Sequence, residues 1–200
     1  MTYSEQDHIS PILTYIPQGA KVLDLGCGKG DLLALLKRLR HTIGYGIEID
    51  ANNVQSCISK GISVYQGNID EGLSGIPDQS YDVVILSYTL QEIHKPAFVI
   101  SEMLRVGKQA IITFPNFGHW ALRAQVFFKG QTPVSKTLPF SWFNTPNIRV
   151  ITIRDFRQFC HQHHIQIIKE IPLHSQPWHR YLPNSWSNWL SEKGMFVIQG

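Results

Sequence analysis

Short apolar runs and helical stripes alternate along the first half of the chain. Val22–Leu25 is an apolar run that stops at Gly26, the pattern of a buried strand. Residues 31–40 then carry Leu32, Leu33, Leu35, Leu36 and Leu39 at helical spacing. The alternation continues. A strand is expected at 43–49, a helix at 51–60 stopped by Gly61, and a third strand at 62–66. The run DVVIL at 82–86 is apolar enough to be covered on both faces. Pro96 suits the first position of a helix that Gly107 closes, and QAIITF at 109–114 is a fifth strand.

Regularity fades after Gly118. A helix over about 119–129 is followed by KGQTPVSKTLPFSWFNTPN, a long stretch rich in proline and aromatic residues. Loops of that length in compact domains are usually lids or binding elements. The pattern recovers at Thr152, where Thr152 and Asp155 predict a capping box for a helix through about His163. Strands at 165–171 and 195–198, with a short Trp-rich helix near 185–190, complete the chain. Repeated strand–helix order predicts a doubly wound, mostly parallel α/β sheet of about seven strands with helices on both faces. The last two strands are expected to make an antiparallel edge.

Composition adds limits. At 200 residues, 43% hydrophobic and 16% charged, the chain reads as one globular domain over 1–200 with an aromatic loop insertion at about 115–146. The net charge of +3 is mild and its basic residues are scattered, which argues against nucleic acid. The polar start MTYSEQDHIS predicts no secretory signal, and no apolar run approaches the roughly 20 residues needed to span a bilayer. Three dispersed cysteines, Cys27, Cys57 and Cys160, predict a reducing cytoplasm rather than a disulfide framework.

The turn VLDLGCGKG at 22–30 poses the chemical question. Its glycines, Gly26, Gly28 and Gly30, are spaced G-x-G-x-G, not the G-x-G-x-x-G of a dinucleotide site. Asp24 ends the strand and points towards the turn. A carboxylate there repels a pyrophosphate and attracts an ammonium or sulfonium. S-adenosylmethionine carries both cations and no phosphate. Glu48 ends the second strand about 20 residues beyond the glycines, where an acid can accept from ribose hydroxyls. Asp50 competes for that role, and either acid could instead be a helix cap or a solvated charge.

At this point the sequence resembles the class I, Rossmann-like S-adenosylmethionine-dependent methyltransferases, through VLDLGCGKG, GYGIEID at 44–50, YQGNIDEGL at 65–73 and SYDVVILSYTLQEI at 80–93. Over 80–120, with FPNFGHW, and 132–155, with WFNTPN, it is similar to the MetW family of methionine-biosynthesis proteins. The resemblance implies a bacterial cytoplasmic protein that accompanies a MetX-type homoserine O-acetyltransferase. It implies S-adenosylmethionine, or S-adenosylhomocysteine, held by Asp24, Gly26, Gly28, Gly30, Glu48, Asn68, Ile69 and Ser87. One departure stands out: Asn68 follows Gly67 where methyltransferases usually have an acid that accepts from the adenine amino group. Asn68 can accept through its carbonyl without the charge, Asp70 can substitute, or Asn68 is only a turn residue.

Candidates for chemistry are sparse. In-line placement alone can supply roughly 7–11 kcal/mol of a methyl-transfer barrier. Tyr88, Gln91, Glu92, Asn116 and His119 fall near strand C-terminal ends, where an acceptor is expected. His119 is the one weak catalytic candidate, against capping or packing at the start of the next helix. Trp120, Phe117 and Trp142 suit an acceptor pocket, the core or a partner. Residues 115–146, with Phe127, Phe128, Trp142 and Phe143 among their aromatics, are expected to form a contact surface for the acyltransferase rather than a catalytic centre. HQHH at 161–164 lacks an accompanying Cys or carboxylate cluster and predicts a solvated helix end rather than a metal. Trp178, Trp186 and Trp189 suit a subunit contact or the core. Two functions stay open: a partner or regulator of the acyltransferase, and a methyltransferase with an unidentified small acceptor.

Overall fold

The computed structural model describes residues 11–135, 137–173 and 186–200. Seven strands form one sheet in the order β3-β2-β1-β4-β5-β7-β6. They are β1 Lys21–Leu25, β2 Ile43–Glu48, β3 Ser63–Gln66, β4 Tyr81–Ser87, β5 Gly107–Pro115, β6 Gln166–Leu173 and β7 Lys193–Gln199. The pairs β1–β2, β1–β4 and β2–β3 are parallel, and β6–β7 is antiparallel. Order reverses at β1 and β4. Ligands of such sheets sit outside the strand C-terminal ends at that reversal.

The helices are α1 Asp31–Arg40, α2 Ala51–Ser59, α3 Pro96–Val106, α4 Trp120–Lys129, α5 Ile153–Gln162 and the single turn α6 Ser187–Leu190. Local chemistry explains their bounds. α1 buries Leu32, Leu33 and Leu36 on one stripe and ends in Lys37, Arg38 and Arg40, cations that suit a helix C-terminus. Pro96 occupies the first turn of α3. Thr152 and Asp155 form the expected capping box of α5, with the Asp155 N–H donating to Thr152 Oγ1 at 3.1 Å. α5 ends one residue earlier than the sequence suggests. His163 is its C-terminal cap and His164 takes φ 55°.

The chain forms two compact units. One comprises residues up to Ser87 with Lys95–Ile111 and Gly200; the other comprises Tyr88–His94 and Ile112–Gln199. The core of the first is aliphatic: Leu23, Leu25, Leu33, Leu36, Val84, Ile85, Leu86 and Met103 are all buried. The second is centred on Phe114, Phe156 and Phe196, whose ring centroids lie 4.7–5.8 Å apart.

Within the second unit, FPNFGHW acquires a structural reason. Asn116 is fully buried and binds four backbone groups. Its Nδ2 donates to Ser191 O at 2.7 Å and Asn188 O at 3.1 Å, while its Oδ1 accepts from Gly118 N at 2.9 Å and Ile153 N at 3.2 Å. A Cβ on Gly118 would meet Asn188 Oδ1 at 2.6 Å, so only glycine fits there. Asn116 is therefore a bracket of the fold and not the acceptor-facing group that its position after β5 suggests.

Candidate functional site

The candidate cofactor residues all fall in the first unit. Asp24 lies in β1, the glycine turn follows, and Glu48 is the last residue of β2. Gly26, Gly28 and Gly30 take φ values of 71°, 54° and 75°, left-handed conformations that side-chain-bearing residues rarely adopt. The turn is held against β2 from several directions. Gly26 N and Cys27 N donate to Ile47 O at 2.8 and 3.1 Å, and Gly28 N donates to Glu48 Oε2 at 2.7 Å. The other oxygen, Oε1, accepts from Ile49 N and Asp50 N at 3.0 Å each. Three backbone donors thus fix one buried carboxylate.

Asp50 has a different task. Its Oδ1 accepts from Asn52 N and Asn53 N at 2.9 Å, the N-cap of α2. Of the two acids at this strand end, only Glu48 addresses the turn.

Asp24 is 2% exposed, and its Oδ1 has no hydrogen-bond partner among the described residues. A buried acceptor without a donor is costly and uncommon. Burial, and secondarily the nearby Glu48, push the Asp24 carboxyl up to about 8. The neighbouring Cys27 thiol is pushed up too, mainly by burial. Its Sγ lies 3.9 Å from Cys57 Sγ beneath the turn. This close packing explains small residues nearby: a Cβ on Gly46 would meet Cys27 Sγ at 2.4 Å, and one on Gly30 would meet Cys57 Sγ at 2.9 Å. The spacing of these cysteines in sequence gave no sign of that contact.

Ser87 is the last residue of β4, two positions beyond Ile85, which is paired with Asp24 across the ladder. Asn68 and Ile69 begin the connection after β3, and Gly67 N donates to Glu48 O at 3.0 Å, tying that connection to β2. Asn68 Oδ1 accepts from Asp70 N at 3.0 Å and caps the short turn Ile69–Glu71. Asp70 Oδ1 accepts from Lys95 N at 2.7 Å. Both residues proposed for the adenine amino group therefore also hold the local backbone. A cavity of about 520 Å³ takes in Gly67 and Asn68 with Tyr45, Ile47, Tyr65 and Leu73, but none of Asp24, Glu48 or the turn glycines. Ile49, exposed beside Glu48, is an apolar residue that sequence reasoning passed over.

The acceptor-side candidates lie in the second unit. His119 stands at the N-cap position of α4 without a side-chain cap bond, its ring 5.8 Å from that of Trp120. Tyr88 takes φ 58°, and burial pushes its hydroxyl pKa up. Gln91 Nε2 donates to Tyr88 O at 2.5 Å, while its buried Oε1 has no partner among the described residues. Gln91 O accepts from Ile148 N at 2.9 Å and Arg149 N at 3.1 Å, which docks the end of the aromatic stretch. His161, His163 and His164 are exposed, and no group of three metal-ligating side chains occurs among the described residues. Trp186 and Trp189 are about half exposed rather than core; Trp178 lies outside the described residues. Among the described residues, no helix is long and apolar enough to cross a membrane.

The strand order, the glycine turn and the acid at the end of β2 define a class I S-adenosylmethionine-dependent methyltransferase fold. Solved structures agree. A putative S-adenosylmethionine-dependent methyltransferase from Listeria monocytogenes superposes with a TM-score of 0.69 at 15% identity, over 98% of this chain and 97% of that one. An S-adenosylmethionine-dependent methyltransferase from Mesorhizobium loti gives 0.69 at 12% identity, over 95% and 96%. Within that fold, the chain belongs to the family described as Methionine biosynthesis protein MetW, whose profile it matches over residues 6–198. It is 38% identical over 169 residues to the bifunctional methionine biosynthesis protein MetXA/MetW of Rhodopirellula baltica (strain DSM 10527 / NCIMB 13988 / SH1). The match covers 80% of this chain and 27% of that relative, so the chain spans about a quarter of the relative's length.

Proposed function

We propose that this chain binds S-adenosylmethionine or S-adenosylhomocysteine in the first unit and serves homoserine O-acetyltransferase as a partner or regulator in methionine biosynthesis. The observation that carries the binding is the buried Asp24 carboxyl beside Glu48, with Oδ1 unpartnered among the described residues. Such a pair of acids fits a cationic ligand and disfavours a pyrophosphate. In this reading Asp24 holds the ammonium, Glu48 accepts from the ribose through the lone pairs its backbone donors leave free, and Ile49 and Ile69 offer apolar surface to the adenine. Asn68 accepts from the adenine amino group with its second lone pair, and Ser87 borders the site at the end of β4.

The partner role is supported by the Rhodopirellula relative, a single chain named for both MetXA and MetW. Tethering two proteins keeps each at high effective concentration around the other. The test is to assay purified homoserine O-acetyltransferase of the source organism alone, with this chain, and with this chain plus S-adenosylmethionine. The reading expects acyltransferase turnover to change with the chain and to change again with the cofactor. Unchanged turnover, together with methylation of a metabolite that His119→Ala abolishes, would make the protein a methyltransferase instead.

A further inference from the structure

The second unit carries an apolar groove that the cofactor residues do not share. It has a volume of about 1040 Å³ and is lined by Phe117, Trp120, Phe127, Phe128, Val150 and Trp189, among others. Phe127 and Phe128 are each 81% exposed, and Val150 is 71% exposed. Two adjacent phenylalanines this exposed on a helix are an unusual loss of hydrophobic stabilisation, which a covering partner would restore.

Charge limits what the partner can be. From 103 to 154 the sequence contains no Asp or Glu, while Arg123, Lys129, Arg149 and Arg154 all fall there with three further Lys or Arg residues. Among the described residues, Arg123 is the only charged one lining the groove; it stacks over Trp189 at 5.1 Å and donates from Nε to Gly118 O at 2.7 Å. Lys129 closes α4 beside Phe127 and Phe128. A second copy meeting this face through a two-fold axis would set Arg123 and Lys129 against their own mates. The surface calls instead for a different protein that offers an apolar segment flanked by acids.

We infer that this groove, built on α4 with Phe127 and Phe128 as its exposed anchors, is the docking surface for the acyltransferase, which inserts an apolar, acid-flanked segment. The inference rests on the partner role proposed above, and the Rhodopirellula fusion is what selects the acyltransferase as occupant. Aromatic anchors in an apolar groove with a polar rim are the usual arrangement of an interface hot spot.

The test measures binding of the intact chain to the homoserine O-acetyltransferase of the source organism by calorimetry, for the parent, for Phe127→Ser with Phe128→Ser, and for Lys129→Glu. Because both phenylalanines are exposed, the double variant is expected to keep the parent's melting temperature and S-adenosylmethionine affinity. Its Kd for the acyltransferase rises at least 100-fold. Lys129→Glu raises that Kd about 10-fold and flattens its dependence on salt. Full affinity in both variants overturns the docking surface while leaving the partner role intact. No binding by the parent overturns the partner role and the surface together. Self-association of the parent, or binding to phosphatidylserine vesicles, that the phenylalanine substitutions remove while acyltransferase binding persists assigns the groove elsewhere and also overturns the inference.

Discussion

Gly28 and Glu48 lie 20 residues apart and are joined by a 2.7 Å hydrogen bond from the glycine N–H to Oε2 of the carboxylate. The bond closes the glycine turn onto the end of β2. Together with donation from Ile49 N and Asp50 N to Oε1, it leaves the Glu48 side chain little freedom. A ligand approaching the turn meets an acid already oriented.

Glu48→Gln should damage both the turn and the site. An amide must present its NH₂ to at least one backbone N–H, replacing attraction by repulsion. The expected loss of stability is about 1–3 kcal/mol. Affinity for S-adenosylmethionine should fall by about 10-fold or more. Denaturant unfolding and calorimetry measure the two effects separately; unchanged values in both would remove Glu48 from the site.

Asp24 predicts a pH dependence with a definite sign. Its folded value of about 8 stands above the ordinary 3.8, because of burial and then Glu48. The folded protein therefore keeps a proton that the unfolded chain has released. The associated stability is fully present below the unfolded value and is lost as pH rises from about 4 through about 8. The other acidic groups at hand, Glu48, Cys27 and Cys57, add no cation to offset this. Asp24→Asn should remove the decline, so that the variant gains on the parent in melting temperature across pH 5–9. A difference that stays constant with pH would contradict the assignment.

Asn116→Ala should cost about 2–5 kcal/mol, since it leaves three buried backbone groups and one part-buried one without their partner. Chemical unfolding of the isolated protein checks this. A neutral substitution would mean that water or rearrangement replaces the bracket.

Arg157 engages Glu170 through two nitrogens, Nε to Oε2 at 2.6 Å and Nη2 to Oε1 at 2.5 Å, and Nη2 also donates to Ser187 Oγ at 2.6 Å. Lysine cannot reproduce that fork. Arg157→Lys should destabilise the protein by about 1–2 kcal/mol while leaving the cofactor affinity of the first unit unchanged.

Where local pattern decides, the sequence could be read closely. The leucine stripe of α1, Pro96 at the start of α3 and the Thr152–Asp155 capping box all depend on neighbours within a turn or two. The positions of Asp24 and the glycines follow from one strand–turn–helix, and that of Glu48 from the end of the next strand. The task of Asn116 was not legible, since its bonds to Asn188 and Ser191 cross 72 and 75 residues. The aromatic run at 115–146 suggested a contact surface, but not which side chains line one groove. Phe127 and Phe128 could equally have belonged to a core, and the packed structure shows each of them 81% exposed. In the 130–150 region, no period of 2 or 3.6 directs the backbone, and docking through Ile148 and Arg149 onto Gln91 replaces regular structure.

Buried Asp24, whose Oδ1 has no partner among the described residues, is the group proposed to meet the ammonium of S-adenosylmethionine. Titration of the purified chain with S-adenosylmethionine by calorimetry, at pH 7 in two buffers of different ionisation enthalpy, tests that assignment directly. Binding of an ammonium beside Asp24 should pull its raised pKa down and release a proton, so the observed heats should differ between the buffers. Asp24→Asn should bind at least 10-fold more weakly and lose that difference. Equal affinity in Asp24→Asn and the parent, or tighter binding of NAD than of S-adenosylmethionine, would contradict the account.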